Sequence, residues 1–225
     1  MNRKILELNK DRYLIDEAKL KAYEYIIVEG EEVFVKGFLI PNTNTDYENI
    51  SILIRNEVEY YFENQKMLYS YCMNKICESK IDILVYLLNI RITKLIEYLL
   101  EENKKIKGVF IIQFSLINYY KKVIKESKYI LFINYNDYLY LMTCEENKLL
   151  LNKVFSQKEE IEKINSKIQS FIEKSCITYL KNSKATIYIS SLCKELMKNM
   201  EIYELKAQVL EDLNSEKLKN SIIKG

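Results

Sequence analysis

The stretch YILFINYNDYLYLMTCEENKLLLNKVF, residues 129–155, contains three strand-like runs separated by NYND and EENK. A first turn of this kind holds a phosphate when it is rich in glycine, because glycine lets backbone N–H groups close around an anion. Asn134, Tyr135, Asn136 and Asp137 occupy that turn here, with no glycine among them. It is either a phosphate loop that has lost its function or an ordinary hairpin. Other routes to chemistry are narrow. The chain has no histidine, which removes the commonest general base and the usual partner of a Ser or Cys nucleophile, and so excludes hydrolytic triads. Cys72 and Cys77 stand five apart with no second pair, a pattern that favours small buried hydrophobes over a metal site. No spacing among the 32 Asp and Glu residues singles out a carboxylate pair. No catalytic residue and no metal ligand is therefore named.

The elements that would position a site are marked by sparse punctuation, four Gly and one Pro in 225 residues. Residues 4–40 alternate apolar and polar in KILEL, RYLID and YEYIIVEGEEVFVKGFLI, which predicts a small antiparallel sheet with Gly30 turning a hairpin and Pro41 ending it. Thr45 and Glu48 have the spacing of a capping box, and Ile50, Leu53, Ile54, Val58 and Tyr61 share one face, so a helix is expected from Asp46 to Glu63. MLYSYCMNKI and KIDILVYLLN read as strands, followed by a helix with Ile92, Leu95, Ile96, Leu99 and Leu100 on one stripe. IKGVFIIQF reads as a strand and SLINYYKKVIKES as a helix. Beyond the hairpins, residues 157–182 form a long helix with Ile161, Ile164, Ile168, Phe171 and Ile172 on one side, a stripe that belongs to a core. TIYIS is a buried strand, SSLCKELMKNM a helix and ELKAQVLEDL a last strand region. No repeat or low-complexity segment is present.

Composition bounds the partners. With 34 Lys and Arg against 32 Asp and Glu, the net charge is +2 and the signs are interspersed, so no electrostatic footprint for nucleic acid arises. The 19 Tyr fit half-buried sheet positions better than a stacking surface, because no basic groove accompanies them. Apolar runs such as GVFII are too short to span a bilayer, and VYLLNIRITKLIEYLL is interrupted by Arg91, Lys94 and Glu97. The N-terminus lacks an apolar signal region. Five scattered Cys suit reduced thiols in a cytoplasm. A soluble chain is expected.

The order of elements (hairpin sheet, helix, α+β unit, second hairpin sheet, long helix, strand, helix, strand) resembles the two duplicated lobes of actin-like ATPases. The chain resembles the branch with a small insertion, the type IV pilus assembly protein PilM and the cytoplasmic domain of the type II secretion L-component. ILIRNEVEYYF resembles the helix before the insertion, IDILVYLLNIRITKLIEYLLEENKKIKGVFIIQFSL the insertion, and IQSFIEKSCITYLKNSKATIYIS the helix and strand that lead to the adenosine loop. The likeness covers pattern and spacing over residues 46–210 and contains no catalytic fingerprint. It implies a mixed α and β chain with a degenerate two-lobed actin-like, ribonuclease H-like fold: a first lobe at 1–64, an inserted small α+β subdomain at 65–127 and a second lobe at 128–225. Family members carry a final helical segment after the last strand, where this chain has only SEKLKNSIIKG. It is either complete or a piece of a longer chain with a membrane helix.

Set against that family, the nucleotide loops are altered. Glu7, Leu8 and Asn9 stand where intact members have Asp-Ile-Gly, the turn Asn134 to Asp137 stands at the second phosphate loop, and Ser190 and Ser191 replace paired glycines at the adenosine loop. Bulky side chains there block close approach of backbone to phosphate. Asp137 could hold a metal through water and Ser190 and Ser191 could bond a ribose, but turn residues capping their own backbone are the favoured reading. The expectation is thus a non-enzyme with no cofactor, a bacterial scaffold at the cytoplasmic side of the inner membrane. Its implied partners are the tail of a bitopic inner-membrane assembly protein and a secretion motor ATPase, with no nucleic acid. The alternatives are an ATP- and magnesium-binding actin-like protein and an unrelated α+β binding module. The resemblance places a partner peptide between the insertion and the first lobe, with Tyr60, Tyr61 and Phe62 on one wall and Tyr98 on the other. That these aromatics are simply core is the competing reading.

Overall fold

The computed structural model describes residues 5–9, 22–42, 47–62, 67–159, 161–180, 186–190 and 206–224. The chain divides into two compact units, residues 32–104 and the remainder, 1–31 with 105–225. The cuts expected at 64/65 and 127/128 fall inside these units. The strand expected at RYLID, Thr45 of the capping box and, beyond Ser190, the helix expected at SSLCKELMKNM lie outside the described residues, as does Cys193.

In the larger unit, β1 (Ile5–Asn9), β2 (Tyr25–Glu29) and β6 (Gly108–Ile111) form a parallel sheet in the order β1-β2-β6. This corrects the antiparallel sheet expected over residues 4–40. The register runs Ile5 to Tyr25 through Asn9 to Glu29, all parallel, and Gly30 does not join β2 to β3 (Phe34–Pro41) in a hairpin. Alternation says which face of a strand is buried but names neither partner nor direction. Ile26, Ile27, Val28 and Glu29 are buried in succession, the continuous pattern of a strand covered on both faces. The strand expected at IKGVFIIQF stops at Ile111, and α3 (Ile112–Tyr120) begins at once. A short apolar run of this kind does not distinguish a buried strand from a buried helix.

The second sheet of this unit has the order β11-β10-β7-β8-β9, from β7 (Lys128–Tyr135), β8 (Tyr138–Glu145), β9 (Lys148–Ser156), β10 (Thr186–Ser190) and β11 (Lys206–Leu210). The first three are an antiparallel meander, as the hairpin pattern predicted, and β10 and β11 run parallel to β7. Both turns are two residues long, and Asn136, Glu146 and Asn147 have φ of 50°, 50° and 62°. Positive φ matches the twist of flanking strands, and Asn tolerates it without glycine. Helix α4 (Ile161–Lys174) lays Ile164, Ile168, Phe171 and Ile172 over Ile130, Phe132, Leu139, Leu141, Phe155, Ile187 and Ile189. Its last stretch, Ser175–Leu180, widens into a π-helix. There Ser175 Oγ donates to Phe171 O at 2.7 Å and lies 2.6 Å from Thr143 Oγ1 of β8, a serine bond to the preceding turn that loosens helical winding. SEKLKNSIIKG folds as α5 (Ser215–Lys224), which buries Leu218 and Ile222 and packs against α3.

In the smaller unit, β3, β4 (Tyr69–Ile76) and β5 (Lys80–Leu87) form an antiparallel sheet in the order β3-β5-β4. It joins residues expected in the first lobe to residues expected in the insertion. Helix α1 (Tyr47–Tyr61) packs Ile50, Ile54 and Val58 on Phe38, Ile40, Ile81, Ile83, Val85 and Leu87. Leu53 packs beside this core, but Tyr61 of the expected face is 51% exposed. Helix α2 (Ile90–Glu102) starts where Asn89 Oδ1 accepts the Arg91 N–H at 2.9 Å. It buries Ile92, Thr93, Ile96 and Leu99, and Leu100 of the expected stripe is turned outward at 37% exposure.

Ile54 is fully buried and Ile52, two residues earlier on the same helix, is 53% exposed. Ile54→Ala is expected to lower unfolding free energy by about 2–5 kcal/mol, whereas Ile52→Ala changes it by less than about 0.5 kcal/mol. Urea denaturation followed by circular dichroism measures both, and equal losses would contradict the packing of α1.

Candidate functional site

In a parallel sheet a ligand sits at the carboxyl ends of the strands. The register of β1 and β2 sets Asn9 beside Glu29 at that end, and Gly30 follows with φ of 69°. The β7–β8 hairpin of the second sheet meets this edge. Asn136 Nδ2 in its turn donates to Glu29 Oε2 at 2.8 Å, and the Gly30 N–H donates to Tyr140 Oη at 2.9 Å. The Tyr138 ring lies against Gly30 so closely that a Cβ there would stand 2.6 Å from Tyr138 Cζ. Tyr135, Tyr138 and Tyr140 are each at most 3% exposed. From α3, Gln113 Nε2 donates to Glu31 O at 2.5 Å and reaches Asn152 Oδ1 of β9 at 3.4 Å. From α5, Lys219 forms an ion pair with Glu7.

Electrostatics follow from this burial. Loss of water pushes the Tyr135 phenol well up, and the nearby Glu7 and Glu29 carboxyls push it further. Burial does the same to Tyr140, with Glu29 and its tyrosine neighbours adding to the shift and the Gly30 N–H opposing it. Both phenols stay protonated across the ordinary pH range, and the Tyr140 oxygen accepts the Gly30 N–H. The arrangement as a whole bonds side chain to backbone within the protein.

The residues expected at nucleotide loops have these places. Leu8 is buried, and Asn9 is 9% exposed. Asn136 and Asp137 form the exposed hairpin turn, whose carbonyls are taken by Gln157: its N–H donates to Asp137 O at 2.9 Å and its Nε2 to Asn136 O at 3.1 Å. The stretch NYND thus forms a hairpin turn whose carbonyls are held by Gln157. Ser190 is 2% exposed, and its Oγ accepts the Asn134 N–H of β7 at 3.3 Å; Ser191 lies outside the described residues. Sequence reasoning missed Glu29, Gly30, Gln113, Tyr138 and Tyr140. The usable signals were a Glu inside the apolar run YIIVEG and the Tyr spacing in YNDYLY.

The residues expected to bind a partner lie in the smaller unit. Tyr60, 79% exposed, and Tyr61, 51% exposed, meet edge to face at 5.6 Å. Tyr61 also meets Phe38 at 5.6 Å and carries Lys36 Nζ 4.6 Å above its ring. Phe62 turns the other way, half-buried beside the α1 core and edge-on to Phe34 at 5.6 Å. Tyr98 is 42% exposed on α2. The structure therefore groups Tyr60 with Tyr61, packs Phe62 inward and sets Tyr98 on a separate helix.

No protein-family model and no curated protein matches the chain. Solved structures do. The PilM-PilN type IV pilus biogenesis complex matches with a TM-score of 0.58 at 11% identity, over 90% of this chain and 77% of the other. The cytoplasmic domain of EpsL, an inner membrane component of the type II secretion system of Vibrio cholerae, matches with a TM-score of 0.52 at 8% identity, over 98% of this chain and 94% of the other. The fold of the chain is the actin-like one that its order of elements resembles.

The shifted phenols give a pH prediction. Burial first, with neighbouring groups, raises Tyr120, Tyr129, Tyr135 and Tyr140, and burial with the Glu126 contact raises Tyr188 to about 12. A folded phenol value above the unfolded one, about 10, gives stability that is complete below that unfolded value and lost as pH climbs through the folded values. Tyrosinate absorbance of the folded chain is expected to lag behind that of the denatured chain and to complete only as circular dichroism is lost. Full tyrosinate absorbance with the fold intact would contradict the burial.

Proposed function

We propose that the chain is a non-catalytic scaffold of a type IV pilus or type II secretion assembly platform, working without a nucleotide or metal cofactor. The observation that carries this reading is that a chain with the fold of PilM and of the EpsL cytoplasmic domain has its own tyrosines at the carboxyl end of β2. A ligand bound there would have to displace Tyr138 and Tyr140. The chain works at the cytoplasmic side of the inner membrane, where it docks the tail of a bitopic assembly protein and couples to a motor ATPase. Among the described residues no helix is long and apolar enough to cross a membrane. The exposed pair Tyr60 and Tyr61 supplies aromatic anchors of the kind enriched at binding hot spots, and Tyr98 adds a third. Asp137 and Ser190 serve the fold rather than a cofactor.

Two measurements test this. Isothermal titration of the chain with Mg-ATP is expected to give no heat of binding, and a Kd in the low micromolar range would refute the cofactor-free reading. For the docking role, Tyr60→Asp and Tyr61→Asp are expected to keep the circular dichroism of the wild type. Both should weaken capture of the cytoplasmic tail of a bitopic pilus or secretion assembly protein by on the order of tenfold or more, with Tyr98→Asp behaving the same way. Unchanged capture by the folded variants would move the partner to another face.

A further inference from the structure

The carboxyl end of α1 gathers groups that together suit a positive charge. Backbone carbonyls give the last turn of a helix a partial negative charge that a cation offsets, yet no Lys or Arg stands in the last turn of α1. Glu57 lies just before that turn, three residues ahead of Tyr60 and four ahead of Tyr61, a spacing that puts the three side chains on one side of the helix. Helical side chains lean toward the amino end, so both rings lean toward the turn that carries Glu57. Glu57 is exposed, and among the described residues it has no hydrogen bond or ion pair. Glu59 falls four residues after Arg55, on the other side of the helix. Tyr60 has the highest exposure of any large hydrophobic side chain among the described residues, and its ring meets Tyr61 edge to face. The second ring shows what such a face accepts, since Lys36 Nζ stands 4.6 Å above Tyr61.

We propose that this corner of α1 is a seat for an arginine side chain of a partner peptide, its guanidinium lying on the Tyr60 ring and paired with the Glu57 carboxylate. Arginine suits the seat better than lysine, because its flat, delocalised cation stacks on an aromatic face and forks to a carboxylate at the same time. The inference rests on the docking role proposed above and names what is recognised: the basic stretch beside the membrane-spanning helix of the bitopic protein. The cytoplasmic flank of such a helix is enriched in Lys and Arg, so charge complementarity selects that stretch from the many apolar segments that would also cover two tyrosines. A purely apolar occupant would bury Glu57 beside it without a partner, which is costly. The rings supply contact area, and the carboxylate supplies the choice of sign.

Selection of a random dodecapeptide phage library on the full chain tests it. Peptides that bind are expected to share an Arg flanked by apolar residues. The Kd of the leading peptide, measured by fluorescence polarisation, should rise about fivefold or more with Glu57→Gln, with Tyr60→Leu, and when the peptide Arg is replaced by citrulline, its uncharged isostere. Both substitutions lie at exposed helix positions, and circular dichroism checks that the fold is kept. Added salt should weaken binding to the wild type more steeply than to Glu57→Gln. Failure to select an Arg-bearing peptide, or binding that survives citrulline or Glu57→Gln, overturns the proposal. Capture of the cytoplasmic tail of a bitopic assembly protein is measured in parallel. Equal capture by wild type and Glu57→Gln would overturn the arginine seat and leave the docking role standing, whereas Arg-dependent peptides bound by a chain that captures no tail would overturn the docking role and leave the seat.

Discussion

A close approach between backbone and aromatic rings, at Gly30, organises the larger unit. Parallel strands leave their carboxyl ends without a turn to close them, and the polar groups there need partners. In this chain the opposite sheet supplies a phenol oxygen for the Gly30 N–H and an amide for Glu29, and helix α3 supplies a glutamine for Glu31 O. Because each bond joins residues far apart in sequence, the two sheets cannot be assembled independently and keep these groups satisfied. The absence of a side chain at one position thus fixes the placement of two strands and a hairpin.

What the sequence disclosed follows the physics of each element. The meander at 128–156 was legible because three alternating runs and two polar turns leave little choice of partner, and strands adjacent in sequence usually pair. Helices α1 and α4 were legible from their stripes, since Ile50, Ile54 and Val58, or Ile164, Ile168 and Ile172, recur at helical spacing. The pairing of β1 with β2, and of β3 with β5, was not, because direction and partner depend on contacts across dozens of residues. The site was half legible. NYND was legible as a two-residue hairpin turn, but the tyrosines that meet Gly30 looked like any sheet residues until their partner was in view.

The same contrast governs the aromatics of α1. Spacing put Tyr61 on the buried stripe, yet the helix ends there, and Tyr60 and Tyr61 are exposed while Phe62 packs beside the α1 core. Periodicity describes a helix of indefinite length, and its prediction weakens where the surface beneath the helix stops. The Lys36 ammonium above Tyr61 shows how such a ring is kept in place: a cation is attracted to its face, and both stay partly in water.

The three-stranded sheet of the smaller unit has two outer strands, β3 and β4, and each is roughened. The register of β4 slips between Met73 and Lys75, where Asn74 is bonded sideways to Asp82, and β3 ends in Pro41, which has no N–H to offer. Ragged margins resist the addition of another strand. Recognition of this unit by main-chain pairing is therefore disfavoured, and so is uncontrolled stacking of one copy on the next. The sheet stays three strands wide, and whatever meets it must do so through side chains.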